Sequence, residues 1–139
     1  MSNDEPGTLL ARLTQTLAAR LPGLIAVYRF GSFGTADQRA DSDIDLGLHT
    51  DAPLDPLALF QLAAEPSTLA ALDVDLVDML RCSTVMRARI VATGEVIHCR
   101  DRYLCDDFAA TAWSHYAHLN EERRGILADI QASGTIHGQ

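Results

Sequence analysis

The sequence predicts an α+β protein, with a mixed β-sheet flanked by helices and a C-terminal helical region. Two observations predict this class. Short runs of alternating or continuously apolar residues, typical of strands, are separated by segments with helical periodicity. The last part of the chain, about 101–132, keeps the helical period and has no strand pattern. With 139 residues, a single domain spanning 1–139 is expected.

The first two predicted elements are a helix and a strand. Residues 8–21 have the pattern of an amphipathic helix, with Thr8 as its candidate cap. Its apolar face consists of Leu9, Leu10, Leu13, Leu17 and Leu21. Residues 24–30 read LIAVYRF, which is rich in β-branched and aromatic residues and too short for a typical helix. They predict a buried strand that runs directly into Gly31-Ser32.

The middle of the chain predicts two more strands around a helical segment. Residues 43–49 (DIDLGLH) alternate between polar and apolar side chains, and so do residues 73–79. Between them, residues 57–65 have helical periodicity. Pro66 is expected to end or kink this helix, with a second short helical turn through Leu72.

The closing elements are a short helix, an edge strand and the helical region. Residues 83–93 predict a helix capped by Ser83 and ended by Gly94, followed by a short edge strand over 95–98. Residues 101–132 predict either one long helix or two helices in series. Among the five histidines, only His115 and His118 have a metal-ligand spacing, i and i+3 on a helix, and they lack nearby acidic partners of the di-iron type. We expect the histidines on partly exposed faces.

Charge and hydropathy exclude several functions. Eleven Lys and Arg against nineteen Asp and Glu give a net charge of −8, which argues against direct nucleic-acid binding because such binding relies on clustered cations. No apolar run reaches about 18 residues, the length of a membrane-spanning helix. The N-terminus is acidic and polar, unlike a signal peptide.

We expect a cytoplasmic protein whose three cysteines are reduced thiols, since they lack the spacing of a zinc site.

The residues most informative about chemistry lie between 31 and 45. Glycine and serine directly after a buried strand let the backbone approach a ligand and present N–H groups and a hydroxyl to phosphate. Asp43 and Asp45 alternate on a strand, which directs both carboxylates to one face about 7 Å apart. Such a pair is costly unless a cation neutralises it. Asp75, on a third strand, is placed to complete a three-carboxylate cluster of the kind Mg²⁺ prefers.

Each of these features also has an ordinary structural explanation. Gly-Ser after a strand is typical of a turn, and Asp-x-Asp is typical of a solvated strand face. The conjunction of Gly31-Ser32, a short spacer, Asp43-x-Asp45 and Asp75 is much rarer than any of its parts. It therefore indicates a nucleotide and metal site.

This conjunction resembles the signature of the DNA polymerase β-like nucleotidyltransferase superfamily. The length of the chain is similar to that of the superfamily's minimal members, the MNT domains. The segments DSDIDLGL and VDLVDM, with a closing helical region carrying Tyr116, His118, Leu119 and Glu122-Arg123, resemble the MntA-type antitoxins that are paired with HEPN-domain toxins of the HepT type. The resemblance covers nearly the whole chain and implies the minimal polymerase β-like nucleotidyltransferase fold.

The resemblance also implies a role for each motif residue. Gly31 and Ser32 match the nucleotide-binding pair. Asp43 and Asp45 match the metal-binding catalytic carboxylates. Asp75 matches the third carboxylate, which is also a metal ligand and assists as general base toward the acceptor hydroxyl. Asp73 lies on the same predicted face as Asp75 and is its rival for that role.

The sequence departs from the family at one point of the loop. Many relatives carry Arg-Gly where this chain has Thr35-Ala36. Gly34 is close enough to serve the turn. Arg39 is either a substitute for the missing arginine or a surface residue, and the second interpretation is favoured.

The resemblance implies a Mg²⁺-dependent protein adenylyltransferase that moves AMP from ATP to a tyrosine of its cognate toxin, with which it forms a hetero-oligomer. The alternative is a non-catalytic antitoxin that masks the toxin by direct binding. The intact set Asp43, Asp45 and Asp75 favours the enzyme, since a mask has no need of it. Transfer to a small molecule such as an aminoglycoside is disfavoured, because the chain lacks the extra helical domain those enzymes use.

Overall fold

The computed structural model describes residues 6–36, 38–39 and 42–133, which form four strands and five helices. The strands are β1 (Leu24–Phe30), β2 (Ile44–Thr50), β3 (Val74–Asp78) and β4 (Glu95–Cys99). The helices are α1 (Pro6–Arg20), α2 (Pro56–Leu62), α3 (Ala64–Ala70), α4 (Thr84–Thr93) and α5 (Arg102–Ser133). The predicted α+β class with a C-terminal helical region is confirmed. Each helix among the described residues is too short or too polar to span a bilayer.

The four strands form one mixed sheet in the order β3-β2-β1-β4. β1 is antiparallel to both of its neighbours, whereas β2 and β3 are parallel. Because β2 and β3 run in the same direction, they begin at the same end of the sheet. The turn after β1 also lies at this end, since Phe30 pairs with Asp45. The topology therefore brings residues 31, 45 and 75 together.

Alternation along β2 divides the core into two layers. Ile44, Leu46 and Leu48 are fully buried and pack with the leucines of α1 on one face of the sheet. Asp45 and Gly47 consequently face the opposite side. There the core is formed with α4 and α5, and a Cβ on Gly47 would lie 2.7 Å from the sulfur of Met79. Glycine at position 47 allows this close packing.

Several element boundaries differ from those expected. α1 begins at Pro6, so Thr8 lies inside the helix and is not its cap. β2 begins at Ile44, which places Asp43 just before the strand. The third strand is also shorter than predicted, with Asp73 preceding it.

Two predictions about helices are decided by the structure: the segment around Pro66 is interrupted, and the C-terminal helix is not. The helix expected over 57–65 is two helices that meet at Ala63, and Pro66 is buried in the first turn of α3, where proline leaves no helical hydrogen bond unmade. Ser83 caps α4 as predicted, accepting a hydrogen bond from the Met86 N–H at 3.0 Å. α5 is one continuous helix, which decides between the two possibilities left open for 101–132.

Candidate active site

The turn after β1 depends on glycine at position 31. Gly31 has φ +78°, a left-handed conformation that side chains rarely adopt, and Gly34 has φ +83°. A Cβ on Gly31 would collide with the Oδ2 atom of Asp45. The backbone of the turn and the Asp45 carboxylate are thus in direct contact, and any other residue at position 31 would force them apart.

Ser32 is half-buried and holds the turn in place. Its hydroxyl donates to the hydroxyl of Ser42 at 3.2 Å, joining the two ends of the loop between β1 and β2. Its carbonyl accepts hydrogen bonds from the Thr35 N–H at 3.0 Å and from the Thr35 hydroxyl at 2.6 Å. Ser32 therefore lies next to Gly31 in a hydrogen-bonded turn. Residues 37, 40 and 41 of the same loop fall outside the described residues.

Arg29 stabilises this turn by hydrogen bonds to its carbonyl groups, a role that sequence patterning did not reveal. Its side chain is 10% exposed, and one guanidinium nitrogen donates to the carbonyls of Gly31 and Phe33, each at 3.0 Å. A second nitrogen of the guanidinium pairs with Glu95 of β4 at 3.3 Å. The sequence feature that could have indicated this role is an arginine inside the otherwise apolar run LIAVYRF. A buried cation at such a position needs several acceptors, and here turn carbonyls supply them.

Two of the predicted carboxylates face each other across the parallel strands. Asp45 and Asp75 are register partners, so their carboxylates lie side by side on the parallel strands. Burial raises the pKa of Asp45, and the neighbouring carboxylates of Asp75 and then Asp43 raise it further. Asp43 and Asp75 themselves are exposed. The structure thus places Asp45 at the centre of an acidic cluster beside Gly31.

Asp73 occupies a different position from Asp75. Its carbonyl accepts the Ile44 N–H at 2.9 Å, so its backbone is level with the start of β2. Asp73 and Asp43 both border an open cavity of about 450 Å³ that is walled by α3 residues such as Ser67 and Thr68. Among the described residues, no three His, Cys, Asp or Glu side chains already converge on a position for a metal ion.

A larger cavity, of about 760 Å³, lies beside the edge strand β3. Asp75 and Asp73 form its acidic border, and α2 and α3 supply its apolar wall. Phe60 of α2, which lines this cavity, is 78% exposed, and no residue of α2 is buried. An apolar surface of this kind next to polar groups is typical of a binding site.

The other acidic residue of β3 and the histidines lie outside this cluster. Asp78 is buried and accepts hydrogen bonds from the N–H groups of Leu54 and Leu80, at 2.7 and 2.9 Å. His118 is exposed beside Glu122, as expected. His49 is 6% exposed and stacks on Phe108, with ring centres 4.0 Å apart, so the expected partly exposed position was wrong for this residue. Its place on β2 faces α5 rather than solvent.

Residues 12–103 match the family described as polymerase beta nucleotidyltransferase. The chain belongs to this family, and the resemblance found in its motifs is confirmed. MntA, a protein adenylyltransferase of Shewanella oneidensis, is 33% identical over 124 residues, which cover 88% of this chain and 87% of that protein.

Two solved structures extend the similarity to three dimensions. A toxin-antitoxin crystal structure with AMP-PNP is 31% identical with a TM-score of 0.76, covering 90% of this chain and 98% of that chain. The MNT antitoxin in complex with a tri-AMPylated Shewanella oneidensis HEPN toxin is 30% identical with a TM-score of 0.75, covering 89% and 97%. The fold is therefore that of a minimal nucleotidyltransferase whose relatives include antitoxins.

Proposed function

We propose that this protein is the antitoxin of a toxin-antitoxin pair and transfers AMP from ATP to a tyrosine of its HEPN/HepT-type toxin. The similarity to MntA and to the two toxin-antitoxin structures supports this function. The observation that carries it is the position of Asp45, which is the register partner of Asp75 and lies against the Gly31 turn. Carboxylates and a phosphate-accessible backbone meet there, as nucleotidyl transfer requires.

The acidic cluster fits Mg²⁺ by its chemistry. Asp43, Asp45 and Asp75 offer oxygen atoms, the ligands that Mg²⁺ prefers. Burial raises the pKa of Asp45 and the carboxylates of Asp75 and Asp43 raise it further, so a nearby cation would favour its ionised form. The exposed side chains of Asp43 and Asp75 have room to rotate toward a common ion. A bound Mg²⁺ would supply positive charge to the α-phosphate and to the leaving pyrophosphate.

The other steps, phosphate binding and proton transfer, are assigned to named residues of the chain. Gly31 leaves the turn backbone open to the phosphates, and Ser32 holds that turn in place and offers its hydroxyl. Asp75 accepts the proton of the tyrosine hydroxyl at its carboxylate. The tyrosine oxygen forms a bond to the α-phosphorus while the bond from that phosphorus to the pyrophosphate oxygen breaks.

We assign the general-base role to Asp75 rather than to Asp73. Asp75 is the register partner of Asp45, and after burial its carboxylate contributes most to the raised pKa of Asp45, whereas Asp73 lies level with the start of β2, on the border of the open cavity. The cavity of about 760 Å³ borders both carboxylates, and Asp75 is the one that the strand register places beside Asp45. Its exposed apolar wall suits the aromatic ring of a tyrosine.

The test uses the purified toxin, ATP and Mg²⁺. Each AMP group transferred should raise the mass of the toxin by about 329 Da, because an adenylyl group replaces the hydroxyl hydrogen while pyrophosphate leaves. Ribonuclease activity should stay suppressed after the antitoxin is removed. The Asp75→Asn protein should bind the toxin without modifying it, and Asp73→Asn should retain most of the transfer activity. An unmodified toxin that is inhibited only inside the complex would replace this proposal with masking by direct binding.

The cellular compartment of this reaction follows from the proposed partner. A toxin that cleaves cellular RNA acts in the cytoplasm, so we place the antitoxin there. The net charge of −8 favours a basic, RNA-binding protein surface over RNA itself as the partner. The protein is then expected as a hetero-oligomer with its toxin.

A further inference from the structure

Two cysteine sulfur atoms lie in direct contact where β4 meets α5. Cys99 is the last residue of β4 and Cys105 lies in the first turn of α5, with their Sγ atoms 2.9 Å apart. Cys99 is exposed, whereas Cys105 is 5% exposed and packs in the second core layer with Ile25 and Tyr28. Neither thiol has a part in the proposed adenylyl transfer. One thiol is thus open to reagents in solution and the other lies directly behind it.

The chain between the two cysteines is held on both sides. The Arg100 N–H donates to the Ile25 carbonyl at 2.7 Å, continuing the pairing of β4 with β1. Asp101 precedes α5 and caps it: its carboxylate accepts the Leu104 N–H at 3.1 Å and its carbonyl accepts the Cys105 N–H at 3.0 Å. A disulfide has an S–S bond of about 2.05 Å, so the sulfurs need to approach by only about 1 Å. Little chain entropy is left to lose when this bond forms.

We propose that Cys99 and Cys105 form a thiol-disulfide exchange site, which small disulfides of the glutathione class oxidise to an intramolecular bond. The Cys99 thiolate attacks one sulfur of glutathione disulfide, which forms a mixed disulfide and releases one glutathione thiolate. Cys105 then loses its proton and attacks Sγ of Cys99, and the second glutathione leaves. The protein loses two hydrogen atoms, and one glutathione disulfide is reduced to two glutathione molecules.

Burial sets the order of these two steps. The exposed Cys99 is the sulfur that a bulky disulfide can reach. Burial raises the pKa of Cys105 to about 12, and the hydrogen bond with Cys99 contributes to the increase, so little Cys105 thiolate is available for the first attack. In the second step Cys105 needs no diffusion, because its target sulfur is already its neighbour. The third cysteine, Cys82, lies in the turn after β3 and contacts the Met79 carbonyl instead.

Oxidation would connect the end of β4 covalently to the first turn of α5. β4 also carries Glu95, the ion-pair partner of Arg29 beneath the Gly31 turn. The bond therefore restrains an element that contacts the support of the candidate active site. Amide hydrogen exchange in the first turn of α5 should slow at least about tenfold on oxidation, since local opening then requires the crosslinked turn to move as a unit.

The test is mass spectrometry of the full-length Cys82→Ser protein treated with glutathione disulfide, because this variant leaves only the proposed pair. The expected product is a monomer lighter by about 2 Da, without a stable glutathione adduct, that returns to the starting mass with a dithiol reductant. Cys105→Ser in the same background should stop at a mixed disulfide on Cys99, heavier by about 305 Da. Cys99→Ser should stay unmodified.

Three results would overturn the proposal. They are a persistent glutathione adduct on the Cys82→Ser protein, disulfide-linked dimers as its main product, and modification of Cys105 in the Cys99→Ser variant at the same rate. The first two readouts use a protein with both proposed thiols in place, so they remain decisive even where a single-cysteine variant fails to fold. The measurement needs neither ATP nor toxin, so it is independent of the proposed transfer activity.

Discussion

The two ends of the β2–β3 pair use the same kinds of polar side chain in different ways. Where the strands begin, Asp45 and Asp75 face each other, and the pKa of Asp45 is raised by burial and by its acidic neighbours. At the other end, Asp78 is 5% exposed and accepts two backbone N–H groups. A carboxylate surrounded by donors stabilises the fold, whereas carboxylates surrounded by carboxylates are available for a cation.

The largest expected effect is on transfer activity in Asp45→Asn. The substitution removes the charge at the centre of the cluster without changing its shape, so we expect activity to fall at least about 100-fold, corresponding to a loss of several kcal/mol of metal-assisted stabilisation. The thermal midpoint of the metal-free protein should be unchanged or slightly higher, because like-charge repulsion is relieved. Toxin mass and calorimetry measure the two quantities. Wild-type transfer rates in this variant, or transfer in EDTA, would contradict the assignment.

Gly31→Ala should weaken binding of ATP with Mg²⁺ about tenfold or more. The new Cβ collides with Asp45 and the residue must hold a strained positive φ, which costs about 1–3 kcal/mol. The matched control is Gly125→Ala on α5, where a Cβ meets nothing within 4 Å and helix propensity improves. Calorimetric titration of both variants checks this. Equal ATP affinity in the two would show that the Gly31 turn has no part in nucleotide binding.

Asp78→Asn tests the opposite end of the strand pair. In the amide, an NH₂ group replaces one of the two carboxylate oxygen atoms that accept backbone N–H groups. One backbone N–H then loses its acceptor, which should lower the unfolding free energy by about 1–3 kcal/mol. Transfer by the folded fraction should keep the wild-type rate, since Asp78 faces away from Asp45. Urea unfolding measures the first quantity. A stable but inactive variant would place Asp78 in the reaction.

Phe60→Ala tests whether the cavity beside Asp75 receives the acceptor protein. Truncating this exposed ring should raise the KM for the toxin about fivefold to tenfold, the loss of roughly 1 kcal/mol of aromatic contact, with ATP affinity unchanged. Tyr103→Ala is the control, because Tyr103 is 76% exposed against 78% for Phe60 but lies on α5. The same KM change in both variants would contradict the proposal that this cavity receives the toxin.

The smallest expected effect is a pH dependence of stability from His49. Burial lowers the pKa of His49 below its ordinary value of 6.5, with Arg100 contributing, so the unfolded chain binds a proton before the folded protein does. Stability should therefore fall as the pH decreases below 6.5, with a slope of at most about 1.4 kcal/mol per pH unit. Urea unfolding of wild type and His49→Gln measures it. The slope should disappear in His49→Gln and persist when exposed His118 is replaced by Gln.

Local patterns predicted most elements of the fold and part of the site. Alternation identified the strand containing Asp45, and the apolar period identified α1 and α5, because these signals depend on neighbours a few residues apart. The exact strand starts were missed by one residue at Asp43 and Asp73, since strand ends depend on the partner strand. The break at Ala63 was also missed, because Pro66 fits the first turn of a new helix as well as the end of an old one.

The sequence by itself determined that Gly31-Ser32 follows a strand and that Asp43 and Asp45 stand at the start of the next one. Only the tertiary structure decided that Asp75 is the register partner of Asp45. It also decided that Arg29 supports the Gly31 turn and that Cys99 contacts Cys105. Periodicity specifies which way a side chain points from its own strand or helix. Register and contacts between elements depend instead on how separate apolar faces pack together, which no local pattern records.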